Sequence, residues 1–155
     1  MLSLALRNLF FTILQPGLVA GLIPYWIVSN IDDASGPYAI HNYAGIIVFI
    51  TGFAIMLSCI VNFAVKGRGT LSPVDPTQRL VITGLYRFSR NPMYVGVMLI
   101  LAGEAIFFQS VNLWIYLLFV FIAFNLFILL HEEPRLRKDF GEEYRMYCQK
   151  TGRWI

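Results

Sequence analysis

Val111-Asn-Leu-Trp-Ile-Tyr-Leu-Leu-Phe-Val-Phe-Ile-Ala-Phe-Asn-Leu-Phe-Ile-Leu-Leu130 carries no charge over twenty residues. At about 1.5 Å per residue such a run spans about 30 Å, the thickness of a bilayer's hydrocarbon core. It reads as a transmembrane helix, with Asn125 inside it. Only Gln109 and Ser110 separate it from a shorter apolar run, Pro92 to Phe108, which carries Glu104, so the two predict a tight antiparallel hairpin. Further out, Ala44 to Val65 is the cleanest span. Leu9 to Val28 is a fourth, interrupted by Gln15-Pro16-Gly17 and by Pro24, where a missing backbone donor predicts a kink.

Composition agrees with this reading. The chain is 57% hydrophobic and 14% charged, with a mean hydropathy of +0.65, outside the range of ordinary soluble domains. At 155 residues it reads as one domain, 1–155, and four spans leave little chain for a separate soluble module. The expected fold is all-α: a polytopic membrane protein of about four transmembrane helices, its functional site built from a loop and a C-terminal amphipathic helix.

The basic residues are one-sided. Arg7 precedes the first span, Lys66, Arg68, Arg79, Arg87 and Arg90 lie between the second and third, and Arg135, Arg137, Lys138, Arg145, Lys150 and Arg153 follow the fourth. The loop from Ser29 to Tyr43 holds Asp32 and Asp33 but no Lys or Arg. The positive-inside rule places both termini, the middle loop and any site there in the cytoplasm. The membrane is the cell membrane, or an internal one if the cell is eukaryotic. The net charge of +3 thus faces an anionic leaflet, and no nucleic-acid partner is expected. The first apolar run is too long for a signal peptide and no Ala-x-Ala site follows it. Cys59 and Cys148 fit neither a lipidation motif nor a disulfide framework, and no metal site is expected.

Chemistry therefore falls to two polar segments flanking the hydrophobic runs, Gly84 to Gly96 and His131 to Tyr144. The loop Lys66 to Asn91 is long, and its apolar residues predict that it folds back onto the membrane surface. Gly67-Arg68-Gly69 lacks the preceding strand and third glycine of a dinucleotide fingerprint. Asn91-Pro92 reads as an N-cap followed by a first helical proline. Its open amides, beside Arg90, suit an anion. Asn125, Ile128, Leu129 and Glu132 follow an i, i+3, i+4, i+7 pattern, predicting a cavity flanked by Glu132 and floored by Asn125.

Arg90-Asn-Pro-Met-Tyr-Val-Gly96 after Leu80-Val-Ile-Thr-Gly-Leu-Tyr86, followed by Glu132-Glu133, Phe140-Gly-Glu-Glu-Tyr144 and Arg153-Trp154, resembles the isoprenylcysteine carboxyl methyltransferase and phospholipid methyltransferase family. The resemblance covers Gly67 to Ile155 and implies S-adenosylmethionine as cofactor, bound without a Rossmann domain. It carries the cofactor contacts onto Gln78, Arg79, Leu80, Val81, Tyr86, Asn91, Pro92, Met93, Tyr94 and Glu132. Two positions depart from the family pattern. Asn91 stands where a histidine is usual, and Ile128 where the eukaryotic carboxyl methyltransferases have a substrate-binding arginine.

The resemblance implies methyl transfer driven by positioning and water exclusion. Arg90 and Glu133 are the candidate catalytic residues. Arg90, with the N-terminus of the third span, would hold the cofactor carboxylate, and Glu133 would take the proton from an amine acceptor. Tyr86 or Tyr94 would pack on the adenine. Asn125 and Ile128 would face the acceptor, an amphiphile with a prenyl or acyl tail lying along Phe119, Phe121, Phe124 and Phe127. Its head group is expected to be a carboxyl, with a lipid amine as the alternative. A sterol-reductase-like protein binding NADPH, or a membrane scaffold without activity, are the competing classes.

The remaining features read as structural. Glu104, about 18 Å along the third span, is expected to be protonated and hydrogen-bonded to a neighbouring helix, with Tyr116 near its depth. His41 lies on the far side. Leu136, Phe140, Tyr144 and Tyr147 form an amphipathic stripe that predicts a helix lying on the loop or the membrane, or covering the cofactor.

Overall fold

The computed structural model describes residues 16–29, 40–62 and 80–154. Its regular elements are helical: α1 (Ile23–Ser29), α2 (Ile40–Asn62), α3 (Pro92–Phe108), α4 (Val111–Phe127) and α5 (Glu133–Lys150). A 3₁₀ turn, Gly84–Arg87, precedes α3, and π-helical turns, Leu18–Leu22 and Ile128–Glu132, precede α1 and α5. The helices α2 and Val111–Lys150 are long and apolar enough to cross a membrane, while Leu18–Ser29 and Pro92–Phe108 are shorter apolar helices. The stretch Leu9 to Gln15, most of the Ser29–Tyr43 loop, and residues 63–79 with Gln78 and Arg79 lie outside the described residues.

Both π turns close on the residue before a proline. The Ile23 amide donates to the Leu18 carbonyl, ahead of Pro24, and the Glu133 amide donates to the Ile128 carbonyl, ahead of Pro134. A proline cannot donate to the carbonyl four residues back, and its ring crowds that carbonyl. Widening the turn by one residue relieves the clash and keeps neighbouring amides paired. In the first case Ala20, four residues before Pro24, leaves helical geometry (φ −109, ψ 15). The kink expected at Pro24 is therefore displaced to the preceding turn.

Helices α2 and α3 pack antiparallel through glycines spaced seven apart. A Cβ on Gly45 would lie 2.8 Å from the Gly103 carbonyl oxygen, and one on Gly52 would lie 2.6 Å from that of Gly96. The backbones thus touch, which lets dispersion and weak polar contacts join helices in a solvent as apolar as the helices themselves. Asn42 adds a hydrogen bond to the Phe107 carbonyl, 2.8 Å. Beyond this pair, Met56 of α2 joins Val97, Ile100 and Leu101 of α3 and Val120 of α4 in one apolar core.

The two-residue hairpin expected between the last two spans is present. Gln109 ends α3 in the left-handed region (φ 50, ψ 30), and the Ser110 hydroxyl accepts from the Leu113 amide at the start of α4. The apolar outer surface of α4, including Ile115, Leu118, Phe119 and Ile122, is exposed, as expected of a helix that meets lipid.

The C-terminal segment continues α4 through the π turn. It then breaks at Gly141, whose φ of +51 and ψ of −119 suit glycine alone. The break turns the second half of α5 back toward the segment before α3, so that Tyr144 is buried and Tyr147 reaches Tyr86.

Candidate functional site

The segment leading into α3 is held in an apolar nest. Val81 and Tyr86 are buried with Cys59 of α2, and Ile55, Leu85 and Met93 pack around them. Tyr86 also shares a hydrogen bond with the Cys59 thiol, and burial drives its phenol far above its ordinary pKa. The Tyr147 hydroxyl donates to the Tyr86 carbonyl at 2.6 Å, and burial raises its own pKa to about 12 against the opposing pull of Arg90. Tyr86, expected as an alternative to Tyr94 beside an adenine, is thus a core residue of this nest.

Residues 151–154 clasp the Ser89–Asn91 turn. The Arg90 amide donates to the Gly152 carbonyl at 2.9 Å, and Ser89 and Gly152 form an isolated parallel bridge. Asn91 occupies the N-cap position of α3, but its side chain makes no capping bond. Its Nδ2 donates instead to the Arg153 carbonyl at 3.0 Å. The expected capping role is corrected here: the bond from Nδ2 to the tail carbonyl holds the side chain in an orientation in which Oδ1 accepts from no amide of the first turn.

Glu133 lies at the centre of this clasp and is only 5% exposed. Arg153 donates to both of its oxygens, Nε to Oε1 at 2.8 Å and Nη2 to Oε2 at 3.2 Å. Arg90 Nη1 stands 3.3 Å from Oε1 and Arg137 Nη2 3.7 Å from Oε2. Arg90 Nη1 also donates to the Cys148 sulfur at 2.8 Å. Three guanidinium groups converge on this one carboxylate and occupy both of its oxygens. The geometry therefore makes Glu133 and Arg90 partners of each other rather than a free base and a free anion site.

Glu132 points elsewhere. Its Oε2 accepts from the Tyr94 hydroxyl at 3.0 Å, and Tyr94 packs on Phe124 with ring centroids 4.7 Å apart. Burial raises the Glu132 carboxyl above the usual carboxylate range, while the Tyr94 hydrogen bond and Arg135 pull the other way and Glu133 adds to the rise. Arg135 Nε is buried with no hydrogen-bond partner among the described residues. Arg135 was not singled out in the sequence, although its position three residues beyond Glu132, on the same side of a helix, was the available signal.

The expected cavity floor is filled. The Trp154 indole donates to Asn125 Oδ1 at 3.2 Å and its ring lies 5.2 Å from that of Phe121. Ile128 is 1% exposed, enclosed by the π turn. Of the aromatic residues expected to carry a tail, Phe119, Phe121 and Phe127 are exposed, Phe121 while also meeting Trp154, and Phe124 packs on Tyr94. Leu80 leads into the nest and Pro92 is buried at the first turn of α3.

The profile of the family described as phospholipid methyltransferase matches residues 40–143, from the start of α2 to just beyond the Gly141 break. The chain belongs to the phospholipid methyltransferase family. That membership fits the apolar helices and supports methyl transfer as the general activity and the membrane as its setting. An uncharacterized protein of Haemophilus influenzae is 33% identical over 63 residues, which are 41% of this chain and the whole of that relative. No solved structure matches the chain. Within the matched range lie Tyr94, Glu132, Glu133 and Arg135, while Arg153 and Trp154, which complete the clasp, lie beyond it.

Proposed function

We propose that this phospholipid methyltransferase family member moves a methyl group from S-adenosylmethionine to the amine head group of a phospholipid, at the cytoplasmic surface of the membrane. The observation that carries the reading is the Tyr94–Glu132 pair beside Arg135 at the end of the π turn. These groups fit a zwitterion: Glu132 suits an ammonium, and the unpartnered Nε of Arg135 suits a carboxylate. The first turn of α3, which has no side-chain cap, offers a second place for an anion.

Bound there, the sulfonium supplies an activated methyl group, and the transfer needs no metal. The protein's part is to hold both reactants and exclude water. Tyr94 orients the Glu132 carboxylate, and Phe124 closes one side of Tyr94. The clasp of Glu133 by Arg90 and Arg153 keeps the turn before α3 in place, so these three act as positioning residues.

An amine is the better acceptor because Ile128 is enclosed and brings no cation to a carboxylate, and Arg90 and Arg153 are spent on Glu133. With Glu133 engaged by Arg90 and Arg153, the proton that an ammonium must lose first passes to solvent at head-group level. Purified protein titrated with S-adenosylmethionine and with NADPH separates this reading from a reductase, which would bind the second, and from a scaffold, which would bind neither. Membranes given methyl-labelled cofactor should carry label in lipid extracts that survives mild base. Release of methanol by base would identify an ester, and label confined to water-soluble compounds would overturn the amphiphile reading.

A further inference from the structure

At the other end of the α2–α3 pair is a pocket of about 220 Å³, lined by Gly45, Ile46 and Phe49 of α2 and by Gly103, Glu104 and Phe107 of α3. Its walls are apolar apart from Glu104, and bare backbone at Gly45 and Gly103 forms part of them. Glu104 lies twelve residues beyond Pro92, about 18 Å along α3 at 1.5 Å per residue, and one turn from the helix end at Phe108. It is therefore remote from Glu132 and near the level of the opposite leaflet's head groups.

Tyr116, expected near the depth of Glu104, is engaged elsewhere: its hydroxyl donates to the Val19 carbonyl at 2.9 Å. Glu104 Oε2 is buried with no hydrogen-bond partner among the described residues. An acid in such apolar surroundings is costly until a donor reaches it. The last torsion of a glutamate is broad and two-fold, so a donor in the pocket can satisfy either oxygen. From the pocket mouth, Ile46, Ile50 and Phe53 run along one side of α2 and are exposed, offering a track for an acyl chain.

We propose that this pocket is a second lipid site, for an amphiphile whose primary amine donates an N–H hydrogen bond to Glu104 while its chain follows Ile46, Ile50 and Phe53. An ammonium entering the pocket favours the ionised acid by pairing with it, which selects an amine over a neutral head group, and the need for an N–H excludes a quaternary ammonium. The site is independent of the methyl-transfer reading, since it shares no residue with the Glu132 cluster.

The test is lipid retention. Protein reconstituted in phosphatidylcholine discs containing phosphatidylethanolamine or phosphatidylglycerol is washed in detergent, and the bound lipid is extracted and counted. Wild type should retain phosphatidylethanolamine in preference to phosphatidylcholine, and Glu104→Leu should lose about tenfold of that preference, the scale of one charge-assisted hydrogen bond. Ile46→Trp, which fills the pocket mouth without touching the acid, should lose it too. Glu132→Gln should keep it. Equal retention of the two lipids by wild type, or unchanged retention in both pocket variants, overturns the site. Loss in Glu132→Gln alone would move the lipid to the transfer site, and equal retention of phosphatidylglycerol would replace the amine with a hydroxyl, each rejecting the proposal.

Discussion

Arg153 grips Glu133 with two parallel hydrogen bonds, at 2.8 and 3.2 Å, across twenty residues of sequence. A planar guanidinium matches a carboxylate in this way and fixes orientation as well as distance. Because the Arg153 carbonyl also receives the Asn91 side chain, one residue ties the tail both to α5 and to the start of α3. The pairing holds the site's two polar segments together.

Removing the carboxylate should therefore be worse than removing one arginine. Glu133→Ala leaves Arg90 with a buried, uncompensated charge, and breaking such a pair costs about 3 kcal/mol or more. The more exposed Arg153 should cost less as Arg153→Ala. Thermal unfolding in detergent checks the order, and a melting temperature unchanged in Glu133→Ala would deny the clasp its structural role.

Gly141→Ala meets no steric obstacle, since nothing lies within 4 Å of the added carbon. Its cost comes from φ +51 and ψ −119 alone, about 1 to 3 kcal/mol. The strain should loosen the tail, so exchange of the Arg90 amide, now bonded to Gly152, should accelerate. An Arg90 amide as protected as in wild type would show that the break is not required.

Gly103→Ala tests the opposite cause. Alanine normally favours a helix over glycine by about 1 kcal/mol, yet here its Cβ would stand 2.6 Å from the Phe49 amide nitrogen. The expected result is a net loss of about 1 to 3 kcal/mol as α2 and α3 separate. A gain in stability would contradict the backbone contact.

For Glu132 the sign of the pH effect is determined by a pKa raised in the fold. The folded state binds the proton more tightly than the unfolded chain, so this stabilisation is complete below the unfolded value, about 4.3, and is lost as pH rises through the folded one. Glu132→Gln should then raise the melting temperature of the ligand-free protein at neutral pH. Cofactor affinity should run the other way: in wild type it should fall as pH drops through the raised pKa, and in Glu132→Gln it should be low and flat. Identical pH profiles in the two proteins would exclude Glu132 as the cation partner.

Orientation can be read with two introduced cysteines. By the positive-inside rule the charge bias predicts Ser35 outside and Ser72 inside. Ser35→Cys should react with an impermeant thiol reagent in intact cells and Ser72→Cys should not, each compared with the unmodified chain. Equal labelling at both positions would reject the four-span arrangement.

Sequence alone determined the helices α3 and α4, the hairpin at Gln109 and Ser110, and the gathering of polar chemistry around Arg90 and Glu132. These follow from local composition, because an apolar run of given length has few alternatives in lipid and a two-residue link has room for one geometry. Tertiary structure decided which glutamate faces which partner. A regular helix advances about 100° per residue, and the extra residue in the π turn before Pro134 places Glu133, not Glu132, over buried Ile128. Hydropathy periodicity has no means of registering that single insertion. It is equally blind to the return of Arg153 and Trp154 onto Asn91 and Asn125, since those contacts depend on the turn at Gly141 and on chain ends distant in sequence.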